Sequence, residues 1–280
     1  DVLKWLLVTS FGYTGYKKAR FSCIEVHESV TAYGREILLK AADIAQDMGF
    51  RVMHGIVDSL WLKGDKRKVD TLIEKVREET KVTLEKEGVY DWVVFLPNKS
   101  DSVGALNRYY GTLDGELEVR GVHLRRSDTP EFFSEVQEDI LRIMERSETI
   151  QEIEDSFDEI INTAKDAWLE IKRGDVDVEK LCFTKQASKK AEDYKHMTET
   201  KAALMQLRDM DVDLNPGESL SYVVTNSKSR DYRDKVKVED TGIEGYDKDF
   251  YEKYLFRVVG EILVPFEHDE DRVGDILKKA

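Results

Sequence analysis

Asp58 lies where a carboxylate could do chemistry, between two segments with the composition of β-strands. Residues 50–57 and 59–62 are predicted strands, and a tight turn joins them at 57–59. A carboxylate at such a tip can bind a divalent cation. An aspartate in a turn more often makes hydrogen bonds to the turn itself. Spacing alone leaves both interpretations open.

Elsewhere in the sequence, spacing alone gives only weak signals of chemistry. The five histidines show no zinc-ligand spacing, and Cys23 and Cys182 belong to neither a metal motif nor a redox motif. Gly12 and Gly15 precede lysines, but not in the Gly-Lys-Ser/Thr order of a phosphate-binding loop. We expect both glycines to break the helix predicted at residues 4–9.

Residues 4–16 read K-W-L-L-V-T-S-F-G-Y-T-G-Y and resemble the fingers motif of family B DNA polymerases, K-x-x-x-N-S-x-Y-G-x-x-G. The resemblance implies nucleotide-binding roles for Lys4 at the phosphates, for Phe11 beside the nascent base pair and for Gly12. Val8 and Thr9 depart from the family pattern. The run E-S-V-T-A-Y-G-R-E at 28–36 resembles the start of the family's palm helix.

Residues 54–59 read H-G-I-V-D-S and resemble the palm motif Y-G-D-T-D-S, which forms a hairpin turn in the family. Asp58 matches the second aspartate, so the resemblance implies that it is catalytic and a metal ligand. Ser59 matches the motif serine and is predicted to lie at the DNA. Ile56 replaces the first aspartate, which we expect to slow the reaction or to alter the metal preference.

Nucleotidyl transfer of this kind uses two Mg²⁺ ions, roughly 3.5–4 Å apart, bridged by carboxylates. Asp58 alone cannot hold both ions. The family's other aspartate lies in a D-x-x-S-L-Y-P motif, which this sequence lacks, as it lacks the exonuclease motifs. The resemblance therefore implies a larger polymerase chain as partner, supplying the exonuclease and the second aspartate, and a chain that is inactive alone.

Further stretches resemble the parts of the family that hold primer–template DNA. Arg108 and Tyr109 fall on the K-x-Y motif at the palm–thumb junction, although Asn107 replaces its lysine. Candidate DNA-binding residues also include Arg125, Arg126, Lys185, Lys189 and Lys195. Tyr109 could instead be an ordinary hairpin residue, and the lysines could form a solvated helix face.

The elements predict an α+β fold, with a partial palm of antiparallel strands and packed helices followed by a mostly helical thumb. We assign residues 1–15 to the end of the fingers, 16–104 to the C-terminal part of the palm and 105–280 to the thumb. Predicted helices cover 29–48, 69–76, 130–146, 149–173 and the final segment. For the third of these, Asp128-Thr129-Pro130 offers an N-cap and a first-turn proline. Predicted strands cover 90–97, 106–113, 116–124 and 221–224.

The composition is that of a globular intracellular protein, with 41% hydrophobic and 36% charged residues and no disulfide framework. The sequence has no membrane span, and we expect a cytoplasmic, nucleoid-associated location. A net charge of −14 argues against DNA binding. The charge is unevenly distributed, however, and local clusters of lysine and arginine weaken that objection. A sliding clamp is a further candidate partner, although residues 275–280 lack the aromatic pair of a clamp-binding peptide.

Four interpretations stay open at this point. The chain could be the small subunit of a naturally split archaeal polymerase, or a piece of one longer polymerase, because it starts at Asp1 without a methionine. It could be a non-catalytic DNA-binding or scaffold subunit derived from a polymerase, as Ile56 and Val8 favour. An unrelated acidic interaction module is the fourth interpretation, and the ordered series of motifs opposes it.

Overall fold

The computed structural model describes residues 2–98, 104–238 and 242–279. The chain divides into two compact units: unit 1 ends at Glu87, and unit 2 begins at Gly88. The predicted loop at 98–104 lies largely outside the described residues. None of the described helices combines the length and the apolar composition of a membrane span.

Unit 1 contains helices and one hairpin. Its elements are α1 (Val2–Gly15), α2 (Ile24–Asp47), β1 (Arg51–Ile56), β2 (Ser59–Lys63) and α3 (Val69–Thr80). Gly49 follows α2 with a φ of +88°, as expected of a glycine that ends a helix. The expectation that Gly12 breaks α1 was wrong, since the helix continues to Gly15. A glycine inside a helix costs about 1 kcal/mol, but its backbone N–H and C=O groups can still form the helical hydrogen bonds.

The core of unit 1 is small and lies between the C-terminal half of α2 and α3. It comprises Ala41, Ile44, Ala45, Phe50, Leu72 and Val76. Helix α1 contributes no buried residue to it. Many apolar side chains of unit 1 are instead exposed, including Val2, Leu3, Trp5, Leu7, Phe21 and Tyr33.

Unit 2 combines two three-stranded antiparallel sheets with packed helices. Its elements are β3 (Tyr90–Pro97), β4 (Gly104–Leu113), β5 (Glu116–Arg120), α4 (Glu131–Glu145), α5 (Ile150–Asp155), α6 (Phe157–Arg173), β6 (Phe183–Gln186), α7 (Glu199–Asp209), β7 (Ser219–Val224), α8 (Tyr232–Lys235), β8 (Val236–Val238), α9 (Lys248–Leu263) and α10 (Glu270–Lys279). The sheet orders are β3-β4-β5 and β6-β7-β8. This mixture of helices and small antiparallel sheets confirms the predicted fold class.

A long apolar core joins the sheets of unit 2 to α4, α6 and α9. Buried polar groups fix the arrangement: the Tyr110 hydroxyl donates to the carbonyl oxygen of Ile262 at 2.5 Å, and the Trp92 indole donates to that of Ser147 at 2.7 Å. The first bond ties β4 to α9, and the second ties β3 to the end of α4. Because β3 pairs with β4, both strands belong to unit 2, and the boundary between the units, after Glu87, precedes the predicted palm–thumb boundary at 104/105. The names palm and thumb for these parts stay a prediction.

Several predicted boundaries in unit 2 need correction. Pro130, predicted to lie in the first turn of α4, is instead its N-cap, so neither Asp128 nor Thr129 caps the helix. The predicted helix at 149–173 is two helices, because the Ser156 hydroxyl donates to the carbonyl oxygen of Glu152 at 2.9 Å and the backbone bends there. The predicted final helix is α9, which buries Tyr251, Leu255, Val258 and Ile262 as expected, but α10 follows it.

Candidate active-site hairpin and nucleic-acid interface

Asp58 lies at the tip of the β1–β2 hairpin. Ile56 pairs with Ser59, so Val57 and Asp58 form a two-residue turn, as the sequence predicts. Asp58 is exposed, while Ile56 and Ser59 are half-buried. Val57 has a φ of +52°, which suits a hairpin turn but is unfavourable for a β-branched residue. The turn therefore presents one carboxylate to solvent, beside a strained backbone.

Packing behind the turn holds the hairpin in place. His54 is buried and pairs across the strands with Trp61; their rings meet edge to face with centroids 5.7 Å apart. Leu60 and Leu62 pack against the small core of unit 1. Alternate side chains of β2 thus anchor the hairpin while its tip stays free.

The hairpin alone does not make a complete metal site. In the described ranges, no group of three or more His, Cys, Asp or Glu side chains is arranged to hold a metal ion. Asp58 fits the role of a single oxygen ligand for Mg²⁺, but two ions need further carboxylates.

Helix α1 carries the residues predicted to bind the nucleotide. Lys4 and Phe11 are seven residues apart, so they share one face of the helix across two turns. Lys4 and Gly12 are exposed, and Phe11 is 36% exposed. The Phe11 ring stacks on His27 of α2, with centroids 4.2 Å apart. The helix therefore presents a cation and an aromatic ring on the same side.

In unit 2, Arg108 and Tyr109 lie on β4. The Arg108 Nη2 donates to Glu261 Oε1 of α9 at 2.7 Å, so its charge is partly neutralised. Tyr109 pairs across the strands with Arg120, and its ring lies 5.7 Å from that of Phe95. A role for either residue at DNA stays a prediction.

Glu261 connects four elements through its carboxylate. Its Oε2 accepts a hydrogen bond from the His123 backbone at 2.9 Å and lies 2.6 Å from His123 Nδ1 and 3.3 Å from Gln137 Nε2. Burial alone would raise the pKa of Glu261, but its contacts with His123 and Gln137 outweigh burial and lower that pKa to about 2. No sequence pattern indicated a role for Glu261, because its partners come from distant segments.

Arg125 and Arg126 follow β5 and are exposed. Arg126 forms a two-point ion pair with Asp128, at 3.1 and 3.2 Å. Burial would raise the pKa of Asp128, but the hydrogen bonds of Arg126 and the charge of Lys185 lower it below its usual value. The charge of Lys185 therefore acts on the carboxylate of Asp128, although the two residues are far apart in the sequence.

The predicted lysines do not form a helix face. Lys185 lies on β6 with its Nζ 5.5 Å from the centre of the Phe183 ring, and Lys189 lies 4.7 Å from the Tyr194 ring. Lys189 and Lys195 flank a short 3-10 helix at Ala191–Asp193, and Lys195 is exposed. The alternative of a solvated helix face is thus wrong, whereas the DNA contacts stay a prediction.

The positive charges extend to residues that sequence reasoning missed. Burial raises the pKa of Tyr254, and the positive charges of Arg126 and Arg257 partly offset that rise. Arg257 and Lys253, one turn apart on α9, line a cleft of about 170 Å³ that also includes Lys228. The four-residue spacing on an amphipathic helix was the available signal for this pair, but it is equally typical of a solvated face.

Arg257 pairs with Glu270 at 3.5 Å, and Lys228 pairs with Asp249 at 3.5 Å. Among the described residues, Lys253 forms no ion pair. Lys185, Arg126 and Lys253 are together called the basic band below. Local positive charges of this kind can attract a polyanion despite the acidic total charge.

Comparison with known proteins identifies the family. Residues 2–268 match the sequence model of DNA polymerase family B. DNA polymerase 2 of Aeropyrum pernix is 30% identical over 272 residues, covering 97% of this chain and 32% of the relative. DNA polymerase 2 of Saccharolobus solfataricus is 38% identical over 153 residues, covering 55% and 24%.

A solved structure agrees with these relatives. The family B DNA polymerase from the hyperthermophilic archaeon Pyrobaculum calidifontis has a TM-score of 0.64 and 25% identity, covering 90% of this chain and 32% of that one. The fold is therefore that of a portion of a family B polymerase. The chain belongs to DNA polymerase family B, which confirms the predicted family, and it spans about a quarter to a third of the length of these relatives.

Proposed function

We propose that this chain is part of the catalytic region of a DNA-directed DNA polymerase and that Asp58 is one of its metal-binding carboxylates. The observation that carries the proposal is the exposed Asp58 at the tip of a two-residue hairpin turn, in a chain that matches family B along 2–268. Strands fix the tip, and the carboxylate is accessible to a cation that the phosphates of a nucleotide would also bind.

The ions would be two Mg²⁺, which lower the pKa of the attacking hydroxyl and stabilise charge on the leaving pyrophosphate. Asp58 offers one ligand to such a pair. The remaining carboxylates come from outside the described residues, in a larger polymerase chain that also carries the exonuclease. The relatives, three to four times longer than the matched portion, support this division.

Other residues of the chain bind and orient the substrates. Lys4 attracts the triphosphate of the incoming dNTP, and Phe11 and Gly12 lie beside the base pair that it forms. Ser59 on the hairpin, and Arg108 and Tyr109 on β4, contact the primer–template duplex.

The basic band, together with Arg125, Lys189 and Lys195, contacts duplex phosphates without sequence preference. These contacts fix the register of the primer and exclude no base, as replication requires.

The apolar surface of unit 1 is the proposed interface with the rest of the polymerase. Helix α1 buries no side chain, and Leu3, Trp5 and Leu7 are all more than 70% exposed. A contiguous exposure of this kind normally marks an interface. The archaeal relatives favour an archaeal source. The two parts of the polymerase would be separate chains, and the mass of the native protein distinguishes them from one longer chain.

A second candidate is a non-catalytic subunit that binds DNA or serves as a scaffold. The observation in its favour is that Ile56, which flanks the turn and pairs with Ser59, stands where a carboxylate would reinforce the site. In addition, the described residues include no group of three or more His, Cys, Asp or Glu side chains that could hold a metal ion. In this case the basic band would bind DNA while Asp58 would do no chemistry.

The test is primer extension with Mg²⁺ by the complex that this chain, carrying an affinity tag, recovers from its source cells. We compare the wild type with Asp58→Ala and with Asp47→Asn, an exposed aspartate at the end of α2. The proposal predicts loss of extension by at least about 100-fold for Asp58→Ala alone. Extension that survives Asp58→Ala would refute the catalytic role, and an intact but inactive wild-type complex would favour the scaffold.

A further inference from the structure

His27 lies in a slot formed by the last two turns of α1. Its ring stacks on Phe11, with centroids 4.2 Å apart and planes 19° apart. Its Nδ1 lies 3.2 Å from the carbonyl oxygen of Phe11 and 3.3 Å from the Thr14 hydroxyl. The same residue thus contacts both the side chain and the backbone of Phe11.

The glycine at position 15 makes room for this ring. A Cβ atom on Gly15 would lie 3.0 Å from both Cε1 and Nδ1 of His27. The Cys23 backbone donates to the carbonyl oxygen of Thr14 at 3.0 Å, which closes the connection between the helices beside the slot. Residues on both helices therefore hold the His27 ring in one place.

Phe11 has little else to fix its orientation within unit 1. Helix α1 has no buried side chain, and the Phe11 ring is 36% exposed. An aromatic side chain on an exposed helix face normally exchanges between rotamers. Stacking on His27 selects one of them and holds the ring on the face that also carries Lys4.

We propose that His27 is a positioning residue for Phe11 and that it thereby sets how tightly the incoming dNTP is held. The proposal rests on the proposed function, because Phe11 meets a nucleotide only in the assembled polymerase. His27 itself touches no substrate. Its effect passes through one aromatic ring, which makes it separable from a general effect on folding.

The experiment is a double-mutant cycle in single-nucleotide incorporation by the assembled complex. KM for dNTP and kcat are measured for the wild type, His27→Ala, Phe11→Ala and the double variant. His27→Ala is expected to raise KM about 3- to 10-fold, the range of a lost aromatic pair, with a smaller change in kcat. In the Phe11→Ala background it should add nothing.

Two further variants separate positioning from folding. His27→Phe keeps the stacked ring and is expected to retain KM within about twofold, even if His27→Ala folds poorly. Lys40→Ala changes an exposed residue of the same helix and should leave KM unchanged.

An unchanged KM in His27→Ala, or the same rise in KM with and without Phe11, would overturn the proposal. If the wild-type complex showed no Asp58-dependent extension, the proposed function would fail and this inference with it. Asp58-dependent extension with an unaltered KM in His27→Ala would remove only the inference.

Discussion

Replacing Glu261 with glutamine should destabilise unit 2 by about 3 kcal/mol at neutral pH, because it removes a buried charge shared by several partners. The Glu261 side chain is 9% exposed, and Arg108 lies 2.7 Å away. Glutamine has the same shape but no charge, so Arg108 and His123 would lose their anion. The variant thus tests the electrostatics of this site without creating a cavity.

The magnitude follows from the pKa of Glu261, which falls from 4.5 to about 2 in the folded chain. A difference of that size corresponds to about 3 kcal/mol at 1.36 kcal/mol per pKa unit. Because the folded-state pKa is the lower one, this stability is fully present above about pH 4.5 and is lost as the pH falls toward 2. Wild type and Glu261→Gln should therefore differ most at neutral pH and converge below about pH 2.

The appropriate assay is amide hydrogen exchange of α9, measured as a function of denaturant and pH. Tryptophan fluorescence would not report on unit 2 alone, because tryptophans lie in both units. Glu138→Gln is the control, since its ion pair with Arg142 is exposed and should contribute less than about 1 kcal/mol. A loss below about 1 kcal/mol in Glu261→Gln at neutral pH would refute the reasoning. So would a difference from wild type that does not shrink at low pH.

Two further predictions concern the hairpin and the basic band. Ile56→Asp adds a carboxylate beside the proposed cations and should raise the rate of primer extension or alter the preference between Mg²⁺ and Mn²⁺. If both the rate and the metal preference stayed unchanged, the proposal that cations bind beside position 56 would be contradicted. Lys253→Ala should weaken duplex DNA binding several-fold and reduce the slope of log K against log salt by about 0.9, whereas Lys75→Ala on α3 should change neither. An unchanged slope in a fluorescence anisotropy titration would exclude Lys253 as a phosphate contact.

Local patterns predicted most elements of the fold, because their signals lie within a few residues. The strand at Tyr90–Pro97 and the turn at Asp114 and Gly115, both at positive φ, follow from strand composition and turn chemistry. The strands β6 and β8 were missed because they have only four and three residues, too few for an alternating pattern. They form only because β7 lies between them and supplies both sets of hydrogen bonds.

In the candidate site, too, features within one short motif were predictable, whereas contacts between distant segments were not. The motif around Asp58 predicted its hairpin position from six neighbouring residues. No local pattern could show that Glu261 holds Arg108, since 153 residues separate them. Lys253 and Arg257 were likewise hidden, because a spacing of four on a helix is equally typical of a solvated face.

The Val57–Asp58 turn bears on the choice between a catalytic and a scaffold role. Val57 is 81% exposed and has a φ of +52°, so it contributes no packing and carries a backbone strain of about 1–3 kcal/mol. A hairpin selected for stability alone would favour asparagine or glycine there. Strain of this kind persists where a turn must hold an adjacent group in one orientation, and the adjacent group is Asp58. The geometry of the turn therefore favours a catalytic role for Asp58 over a scaffold role. A catalytic role in turn predicts the loss of primer extension in Asp58→Ala.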